Sequence, residues 1–517
     1  MSGLLLLGID VGTSATKALV CDERGRVVSS ASAEHPISRP RPGWSEQDPR
    51  DWWASAVRAT REAVGHDGGA VCAVGLSGQM HGSVFLPREA VGSDGRNAQP
   101  LRPALLWNDQ RTAAQCAQIE AIAGGRAALV ELVGNAALTG FTLPKILWVR
   151  ENEPDVYKKV AAIVLPKDYI RLRMTGRVAT DVGDAAGTLL FDVDARRWSE
   201  RAMALFGVDR SLLPDVVESA APTGSVTAWA ARELGVPAGI PVVGGSGDNQ
   251  AGAVGAGVVA PGMVLATLGT SGVIYAHSDR PRKDLGTGHA AGRVHTMCAA
   301  DGTAGAAGRW SVTGCMLSAG GSLQWCRNTL FPGESYDALM AEAAKVRPGC
   351  DGLVFLPYLT GERCPHPDPT ARGGWIGLTS RHTRAHLIRA VVEGVSYGMA
   401  DVLDLVRGIG VPVEKCRLGG GGARSEFWRQ MLADVFGCPV ALTNTEEGPA
   451  YGAALLAGVG AGRFWSVVEA CGLAISETRE LAPQRDAVAA YAPTRSVYSK
   501  LYGDLRERFG ELAAAEG

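Results

Sequence analysis

Gly244-Gly-Ser-Gly-Asp-Asn-Gln-Ala-Gly-Ala253 is the stretch that decides the fold, and it lies near the middle of a chain of 517 residues. The apolar residues 241–243 before it predict the end of a buried strand, and the small residues 251–258 after it predict a tightly packed helix. Asp248 is the only charged residue inside positions 234–278. A carboxylate between a strand and a glycine-rich turn can face a cleft, or it can cap the following helix. Position alone leaves both roles open.

The composition indicates an ordinary globular protein of at least two domains. The chain is too long for a single hydrophobic core, and its 46% hydrophobic and 20% charged residues are typical of soluble proteins. A net charge of −2 gives no electrostatic attraction to nucleic acid or to a membrane surface. The eleven cysteines include no C-x-x-C pair, so we expect neither disulfides nor a zinc site but a reducing cytoplasm. No run predicts a signal peptide or a membrane span.

One strand–turn–strand pattern occurs twice, half a chain apart. Apolar runs flank Gly-Thr-Ser at 12–14 and again at 269–271. The runs predict strands at 4–9, 18–21, 263–267 and 273–276. The repeat predicts an internal duplication, in which two similar α/β domains face each other across a shared cleft.

The remaining signals complete the predicted organisation. They are strands at 26–33, 71–76 and 416–418, helices that begin near Pro49, Thr383, Ser425 and Pro449, and a charged helix over 486–511. We expect a first domain over 1–250, a second over 251–485 and a helical tail over 486–517.

The two Gly-Thr-Ser turns are suited to bind a polyphosphate. Their backbone N–H groups converge without obstruction, and hydroxyls such as those of Thr13, Ser14 and Thr270 add donors. Neither turn is a P-loop, because Gly-x-x-x-x-Gly-Lys-Ser/Thr occurs nowhere in the chain. The glycines at 419–422 follow a predicted strand and precede a helix, which favours a place under an adenine or ribose ring.

Two acids and a polar segment complete a possible kinase site. Asp10, at the end of the first strand, is a candidate for holding Mg²⁺ through water, although a simple turn Asp is the alternative. Together with Asp248 it gives the carboxylates that phosphoryl transfer requires. Met80 and His81 offer a thioether and an imidazole to a sugar, and Trp107 offers a stacking face. A structural histidine and a core tryptophan are the alternatives.

Five motifs in this order resemble those of the FGGY carbohydrate kinases. They are Asp10-Val-Gly-Thr-Ser-Ala-Thr-Lys17, Trp107-Asn-Asp-Gln-Arg-Thr112, Gly247-Asp-Asn-Gln-Ala-Gly252, Gly269-Thr-Ser271 and Gly420-Gly-Gly-Ala423. The resemblance extends from residue 4 to about residue 460. It implies two ribonuclease-H-like domains of the actin/hexokinase type around a central cleft, with ATP as the phosphate donor and Mg²⁺ as the metal.

The resemblance also implies a role for each matched residue. Asp248 would be the catalytic base and Asp10 the acid on the metal side. The sugar contacts would be Met80, His81, Trp107, Asp109 and Asn249. The nucleotide contacts would be Thr13, Ser14, Gly269 and Thr270 at the phosphates and Gly421 and Gly422 at the adenosine.

Two segments indicate the sugar. Ser77-Gly-Gln-Met-His-Gly82 and Tyr358-Leu-Thr-Gly-Glu-Arg-Cys-Pro-His366 are similar to those of the family members that phosphorylate D-xylulose to D-xylulose 5-phosphate. Cys364 departs from that pattern, which usually has Thr, and so does Trp310-Ser-Val-Thr313, where a Trp-His-x-Met run is usual. The partners expected are a small sugar and ATP, and a homodimer is the expected assembly.

Two alternatives remain open from the sequence. One is a kinase of the same family that acts on another ketose or polyol, such as ribulose. The other is an actin- or Hsp70-like conformational ATPase, which shares the phosphate turns but needs no sugar pocket; Met80 and His81 argue against it.

Overall fold

The computed structural model describes residues 4–286 and 290–515, and two seven-stranded sheets organise them. Each half of the chain supplies the strands of one sheet. The strands of the first half are β1 (Leu5–Val11), β2 (Ala15–Asp22), β3 (Val27–Glu34), β4 (Glu46–Gln47), β5 (Val71–Gly78), β6 (Val84–Leu86), β7 (Ala104–Leu105), β8 (Ala162–Val164), β9 (Ala179–Asp181), β10 (Phe191–Asp192), β11 (Arg197–Trp198), β12 (Asp215–Val217), β13 (Pro222–Ser225), β14 (Pro241–Val243) and β15 (Ser246–Gly247).

Ten helices accompany these strands. They are α1 (Pro49–Val64), α2 (Ala113–Ala123), α3 (Arg126–Val133), α4 (Thr142–Asn152), α5 (Pro154–Tyr157), α6 (Pro166–Thr175), α7 (Val182–Ala185), α8 (Glu200–Phe206), α9 (Ala228–Leu234) and α10 (Asp248–Gly255). The predicted start of the first helix is confirmed: Asp48 accepts a hydrogen bond from the Arg50 N–H (2.9 Å), and Pro49 occupies the first helical position.

The order of the first sheet is β13-β14-β5-β1-β2-β3, and β15 pairs with the end of β5. β1 is antiparallel to β2 and parallel to β5. In register, Asp10 lies opposite Ser77 of β5, and Ser77 lies opposite Ser246 of β15. Because the carboxyl ends of these parallel strands meet at one edge, Asp10 and Asp248 come to the same edge of the sheet.

Within residues 256–286 and 290–515, the second half supplies nine strands and seven helices. The strands are β16 (Gly262–Leu268), β17 (Gly272–Ser278), β18 (His295–Cys298), β19 (Trp310–Met316), β20 (Val354–Leu356), β21 (Gly374–Ile376), β22 (Val413–Gly419), β23 (Val440–Thr443) and β24 (Glu477–Leu481). The helices are α11 (Gly320–Leu330), α12 (Tyr336–Ala344), α13 (Arg384–Gly408), α14 (Glu426–Phe436), α15 (Gly448–Gly460), α16 (Val467–Ala474) and α17 (Arg485–Ala515).

The second sheet repeats the plan of the first. Its order is β18-β19-β17-β16-β22-β23-β24, in which β16 is antiparallel to β17 and parallel to β22. The antiparallel pair β1–β2 and the antiparallel pair β16–β17 each enclose one Gly-Thr-Ser turn. The predicted duplication is therefore confirmed.

Helix α15 comes from the second half of the chain but packs against the first sheet. Its residues share a core with Leu6 of β1 and Val243 of β14. The approach is close: a Cβ added to Gly8 would lie 1.9 Å from the Ala450 carbonyl oxygen, and one added to Gly75 would lie 1.8 Å from that of Ala453. The boundaries expected at 250 and 485 remain a prediction, and any division of the chain must place α15 against the first sheet.

The charged helix expected near the end of the chain is α17. It packs into the core of the second half, where Tyr491, Tyr498 and Phe509 are buried. None of the helices in the described part of the chain has both the length and the apolar content needed to span a membrane.

Candidate active site

Two cavities meet near the start of α10, and a third adjoins one of them at Gly421 and Arg424. A cavity of about 590 Å³, here called the His81 cavity, is lined from both halves of the chain. A second one of about 500 Å³, the α10 cavity, lies between α10 and the second sheet. A third one of about 730 Å³, the Thr270 cavity, is lined by Gly269 and Thr270 of the second turn.

Asp248 stands between two of these cavities. Together with Asn249 it lines both the His81 cavity and the α10 cavity. The N-cap of α10 is Gly247, so Asp248 is the first residue of the helix and not its cap. Burial raises the pKa of Asp248 to about 7, and the negative charge of Asp10 adds to the rise. The capping role left open by the sequence is therefore not the one that Asp248 has.

Asp10 is a second perturbed carboxylate at the same edge. Burial raises its pKa to about 6, against the opposing effects of the Ser77 hydroxyl and the Lys17 ammonium group. Its Oδ1 atom is buried and has no hydrogen-bond partner among the described residues. A buried carboxylate oxygen without a donor, close to another carboxylate, is suited to face a cation.

The residues present fit a sparsely ligated Mg²⁺. Within residues 4–286 and 290–515 there is no cluster of three or more His, Cys, Asp or Glu side chains that could hold a metal. Mg²⁺ needs no such cluster, because it keeps several waters and takes one or two carboxylates together with phosphate oxygens. The free Oδ1 of Asp10 could supply that contact, directly or through water.

Two side chains of the first half hold the first Gly-Thr-Ser turn. The indole Nε1 of Trp107 donates to Thr13 Oγ1 (2.9 Å), and the Gln47 amide donates to the Thr13 carbonyl (2.7 Å). Because Thr13 Oγ1 accepts this bond, its own proton is directed elsewhere and can serve a phosphate. The side chain of Ser14 is exposed at the same turn.

The second Gly-Thr-Ser turn is hydrogen-bonded to the start of helix α11. The carbonyl oxygens of Gly269 and Thr270 accept hydrogen bonds from the backbone N–H groups of Gly320 and Ala319, both at 2.8 Å. Gly421 and Gly422 line the same Thr270 cavity. The four residues expected at the nucleotide in this half thus share one cavity, and Thr270 has an exposed side chain.

His81 lies in an unusual backbone conformation and is neutral. Its φ angle of 67° falls in the left-handed region. Residues other than glycine adopt this region uncommonly, although asparagine, aspartate and histidine do so more often than the rest. Burial, Lys145 and His295 together hold the pKa of His81 well below its ordinary value. Its Nδ1 lies 3.1 Å from the Gly187 carbonyl oxygen. A carbonyl can only accept, so Nδ1 carries the proton and Nε2 is left as an acceptor.

Met80, Trp107 and Asn249 line the His81 cavity with His81, as expected for sugar contacts. The Asn249 amide lies 3.2 Å from Asp248 Oδ1 and 3.6 Å from the sulfur of Met80. Asn249 therefore links Asp248 to Met80 in the wall of the His81 cavity.

Asp109 is the expected sugar contact that the structure places elsewhere. It does not line the His81 cavity, and its side chain is fully buried. Its oxygens accept from the Ser45 N–H (2.7 Å) and from the Arg111 guanidinium (2.7 and 2.9 Å). Because both carboxylate oxygens already have partners, we withdraw the sugar role and assign Asp109 to a buried ion pair.

Several cavity residues were not expected from the sequence. From the first half they are Phe141 and Gln250, with the buried Lys145 behind His81. From the second half they are His295, Thr313, Glu362 and Arg363. Four of them lie in segments that the sequence analysis singled out: Gln250 in the motif 247–252, Thr313 in the departure 310–313, and Glu362 and Arg363 in the segment 358–366.

Comparison with known proteins decides the family. A model of the N-terminal domain of the FGGY family of carbohydrate kinases matches residues 5–255, and a model of its C-terminal domain matches residues 264–461. The chain belongs to the FGGY family of carbohydrate kinases. As a carbohydrate kinase it is an enzyme, which excludes the actin- or Hsp70-like alternative.

Relatives of this kinase match it along nearly its whole length. It is 40% identical over 509 residues to the xylulose kinase of Escherichia coli, with 97% of this chain and 99% of that protein covered. It is 37% identical over 505 residues to the xylulose kinase of Bacillus subtilis, with 97% of each covered. The crystal structure of a "xyloylose kinase" from Brucella ovis has the same fold, with a TM-score of 0.88, 34% identity and coverage of 97% and 99% of the two chains. The expected two-domain sugar-kinase fold is thereby confirmed.

Proposed function

We propose that this kinase transfers the γ-phosphate of ATP to the 5-hydroxyl of D-xylulose, giving D-xylulose 5-phosphate and ADP. The observation that carries the proposal is the position of Asp248, which lines both the His81 cavity and the α10 cavity. The names of the relatives that match along their full length support the choice of sugar.

Asp248 is the proposed general base. In the transfer, the 5-hydroxyl oxygen forms a bond to the γ-phosphorus while its proton passes to the Asp248 carboxylate. The bond from the γ-phosphorus to the β–γ bridging oxygen breaks, and ADP leaves with that oxygen. A base works best when its pKa lies near the working pH, and a pKa of about 7 meets that condition.

The two Gly-Thr-Ser turns are the proposed phosphate sites. Thr270, Gly421 and Gly422 line one cavity, the proposed nucleotide site. Thr13 lies in the equivalent turn of the first half, between β1 and β2. Mg²⁺ would be held on the Asp10 side, where it supplies positive charge to the phosphate oxygens. The hydroxyls of Thr13 and Thr270 then donate to phosphate oxygens, and Lys17 pairs with Glu447 beside the first turn.

The sugar is proposed to lie against the first half of the chain. The Nε2 lone pair of His81 accepts from a hydroxyl, Met80 and Trp107 cover the carbon face, and Asn249 orients both Asp248 and the sugar. A site built to hydrogen-bond a hydroxyl rejects analogues that lack it strongly. Glycerol and aldohexoses should therefore be poorer substrates than D-xylulose.

A different ketose, such as ribulose, is the second candidate substrate. Thr313 lines the cavity with a buried hydroxyl that has no partner among the described residues, and it lies at a departure from the usual family pattern. An added polar group of this kind favours a sugar with a different hydroxyl arrangement on that side.

We further propose that the enzyme works in the cytoplasm and as a homodimer. All eleven cysteines are free, which supports a reducing compartment. The side chain of Trp465 is 92% exposed, and Val468 and Leu473 beside it in sequence are also exposed, which supports a covered apolar face in solution. Fractionation of the host cell checks the compartment, and light scattering of the wild type and of Trp465→Glu checks the assembly.

A coupled assay of ADP release tests the substrate. The panel is D-xylulose, L-xylulose, D- and L-ribulose, D-fructose and glycerol, with saturating MgATP. We expect D-xylulose to give the highest kcat/KM. If another sugar exceeds it tenfold or more, the kinase class stands and the sugar assignment is wrong.

A further inference from the structure

Arg363 lies in the wall of the His81 cavity, and its guanidinium group has no partner among the described residues. It is half-buried and lines the cavity from the second half of the chain. Its backbone N–H donates to Glu362 Oε1 (2.7 Å), and no described residue pairs with its guanidinium group. A guanidinium in a cavity wall without a protein acceptor is free to donate to a ligand oxygen.

The surroundings of Arg363 do not supply that oxygen. Its charge lowers the pKa values of His81, His295 and Cys315, which places it near all three. Burial is the largest cause of the low pKa of about 3 at His295, so this imidazole is neutral. Glu362, the adjacent carboxylate, accepts from the backbone N–H groups of Leu317 (2.8 Å) and of Arg363 (2.7 Å) through Oε1. Its Oε2 is buried and has no donor among the described residues, so the Arg363 guanidinium lines the cavity without pairing with this acid.

Arg363 is also on the acceptor side of the site. It does not line the Thr270 cavity or the α10 cavity, where the nucleotide residues lie. Asp248, which must meet the reacting hydroxyl, lines the His81 cavity together with Arg363. A sugar whose reacting hydroxyl lies at Asp248 therefore occupies the same cavity as Arg363.

The chemistry of the proposed reaction indicates which oxygen this is. The hydroxyl on C5 is the one that closes the ring of a pentulose, by adding to the carbonyl at C2. A pentulose phosphorylated on O5 must therefore be bound with its ring open. Its C2 then carries a free carbonyl, which can only accept hydrogen bonds.

We propose that Arg363 donates to the C2 carbonyl oxygen of the open-chain ketose and so selects ketoses against the corresponding pentitols. The inference rests on the proposed function, because it assumes transfer to the 5-hydroxyl of a pentulose. In a pentitol the C2 carbon carries a hydroxyl, which is itself a donor and gives a guanidinium a poorer partner than a carbonyl oxygen. A pentitol would therefore leave the Arg363 guanidinium poorly paired in the site, and the enzyme should bind it less well than the ketose.

The test compares ketose with pentitol in Arg363 variants. For wild type, Arg363→Met and Arg363→Lys, kcat/KM is measured with D-xylulose, D-arabinitol and xylitol; inhibition constants replace it where pentitol turnover is too slow. We expect Arg363→Met to lower kcat/KM for D-xylulose by roughly 10- to 100-fold, the range for losing a hydrogen bond to a charged group, and to change the pentitol constants less than about threefold. For D-xylulose, kcat/KM of Arg363→Lys should lie between the values of the wild type and of Arg363→Met. Lysine keeps the positive charge but lacks the planar guanidinium group that can donate two parallel hydrogen bonds.

A matched control uses an arginine that does not line this cavity. The guanidinium of Arg293 is engaged by both oxygens of Asp284 (2.9 and 3.0 Å), so Arg293→Met should leave the ratio of ketose to pentitol constants unchanged. The melting temperature of Arg363→Met should stay near that of the wild type, because no protein contact is lost.

Two results would overturn the inference. Equal losses for D-xylulose and for the pentitols would mean that Arg363 contacts a hydroxyl or acts through the fold. An unchanged ketose constant would mean that it contacts no sugar atom. The substrate preference of the wild-type enzyme separates failure of this inference from failure of the proposed function. If another ketose is the best substrate, the proposed sugar is wrong, and the Arg363 variants are compared with that ketose and its alditol.

Discussion

The negative charge of Asp10 contributes to the raised pKa of Asp248, its neighbour at the carboxyl edge of the first sheet. Burial is the larger cause at both residues, and the two pKa values lie at about 6 and about 7. The register Asp10–Ser77–Ser246 brings the pair together, since β15 ends one residue before Asp248 begins its helix. Two buried carboxylates with pKa values near neutrality form the centre of the proposed chemistry.

The first prediction concerns pH. A base must be deprotonated to accept a proton, so kcat/KM for the sugar should fall as the pH drops below about 7 and level off above it. The measurement is kcat/KM from pH 5.5 to pH 9 with saturating MgATP. An acid limb with an apparent pKa near 4, the value of an ordinary carboxyl group, would contradict the raised pKa of Asp248.

The second prediction concerns stability. The pKa of Asp248 is about 7 in the folded state and 3.8 ordinarily, so the folded state binds this proton more tightly than the unfolded state. The stability that this gives is present below about pH 4 and is lost as the pH rises to about 7. Asp248→Asn removes the buried charge, and its melting temperature should exceed that of the wild type by more at pH 8 than at pH 5. Asp155→Asn, at an exposed carboxylate, is the control and should show no such difference.

The third prediction concerns the nucleotide. Thr13→Val and Thr270→Val each remove a hydroxyl donor proposed to face a phosphate, and each should weaken the use of MgATP more than the use of sugar. The loss should be roughly 10- to 100-fold per site, because a phosphate is a charged acceptor. Calorimetry with ATP and ADP, together with kinetics, measures it. Unchanged affinity and turnover in both variants would leave the turns with only a structural role.

The fourth prediction concerns His81. His81→Asn keeps a residue that tolerates the left-handed conformation but removes the imidazole. It should lower kcat/KM for D-xylulose by roughly 2- to 10-fold, as for a hydrogen bond between neutral groups, and leave ATP binding near normal. His81→Ala should also have a lower melting temperature than His81→Asn, because alanine tolerates the left-handed backbone conformation less well than asparagine. Loss of ATP binding in the folded Asn variant would argue against a role on the sugar side.

Much of the fold followed from local patterns. Short apolar runs predicted β1, β5, β16 and β22, and the repeated Gly-Thr-Ser turns predicted two domains of the same plan. Asp10 and Asp248 were each predicted to follow a strand, and they were paired because phosphoryl transfer requires two carboxylates. These features depend on residues close in sequence, where periodicity and turn chemistry are informative.

The features that were missed depend on contacts between distant parts of the chain. The packing of α15 on the first sheet depends on glycines such as Gly8 and Gly75, more than 370 positions before it, and nothing local reveals that partner. Asp109 was misassigned because its partners include the Ser45 N–H, far from its own motif. His295, Thr313 and Arg363 all come from the second half, and they line a cavity with Met80 and His81 only when the two halves meet.

The central claim is that Asp248 removes the proton of the sugar hydroxyl. The direct measurement is the rate of sugar phosphorylation by Asp248→Asn, with its melting temperature and its affinity for ATP determined on the same sample. The account predicts a loss of roughly 10² to 10⁴ in kcat, with the fold retained and ATP still bound. Turnover within a few-fold of the wild type by the folded variant would contradict it.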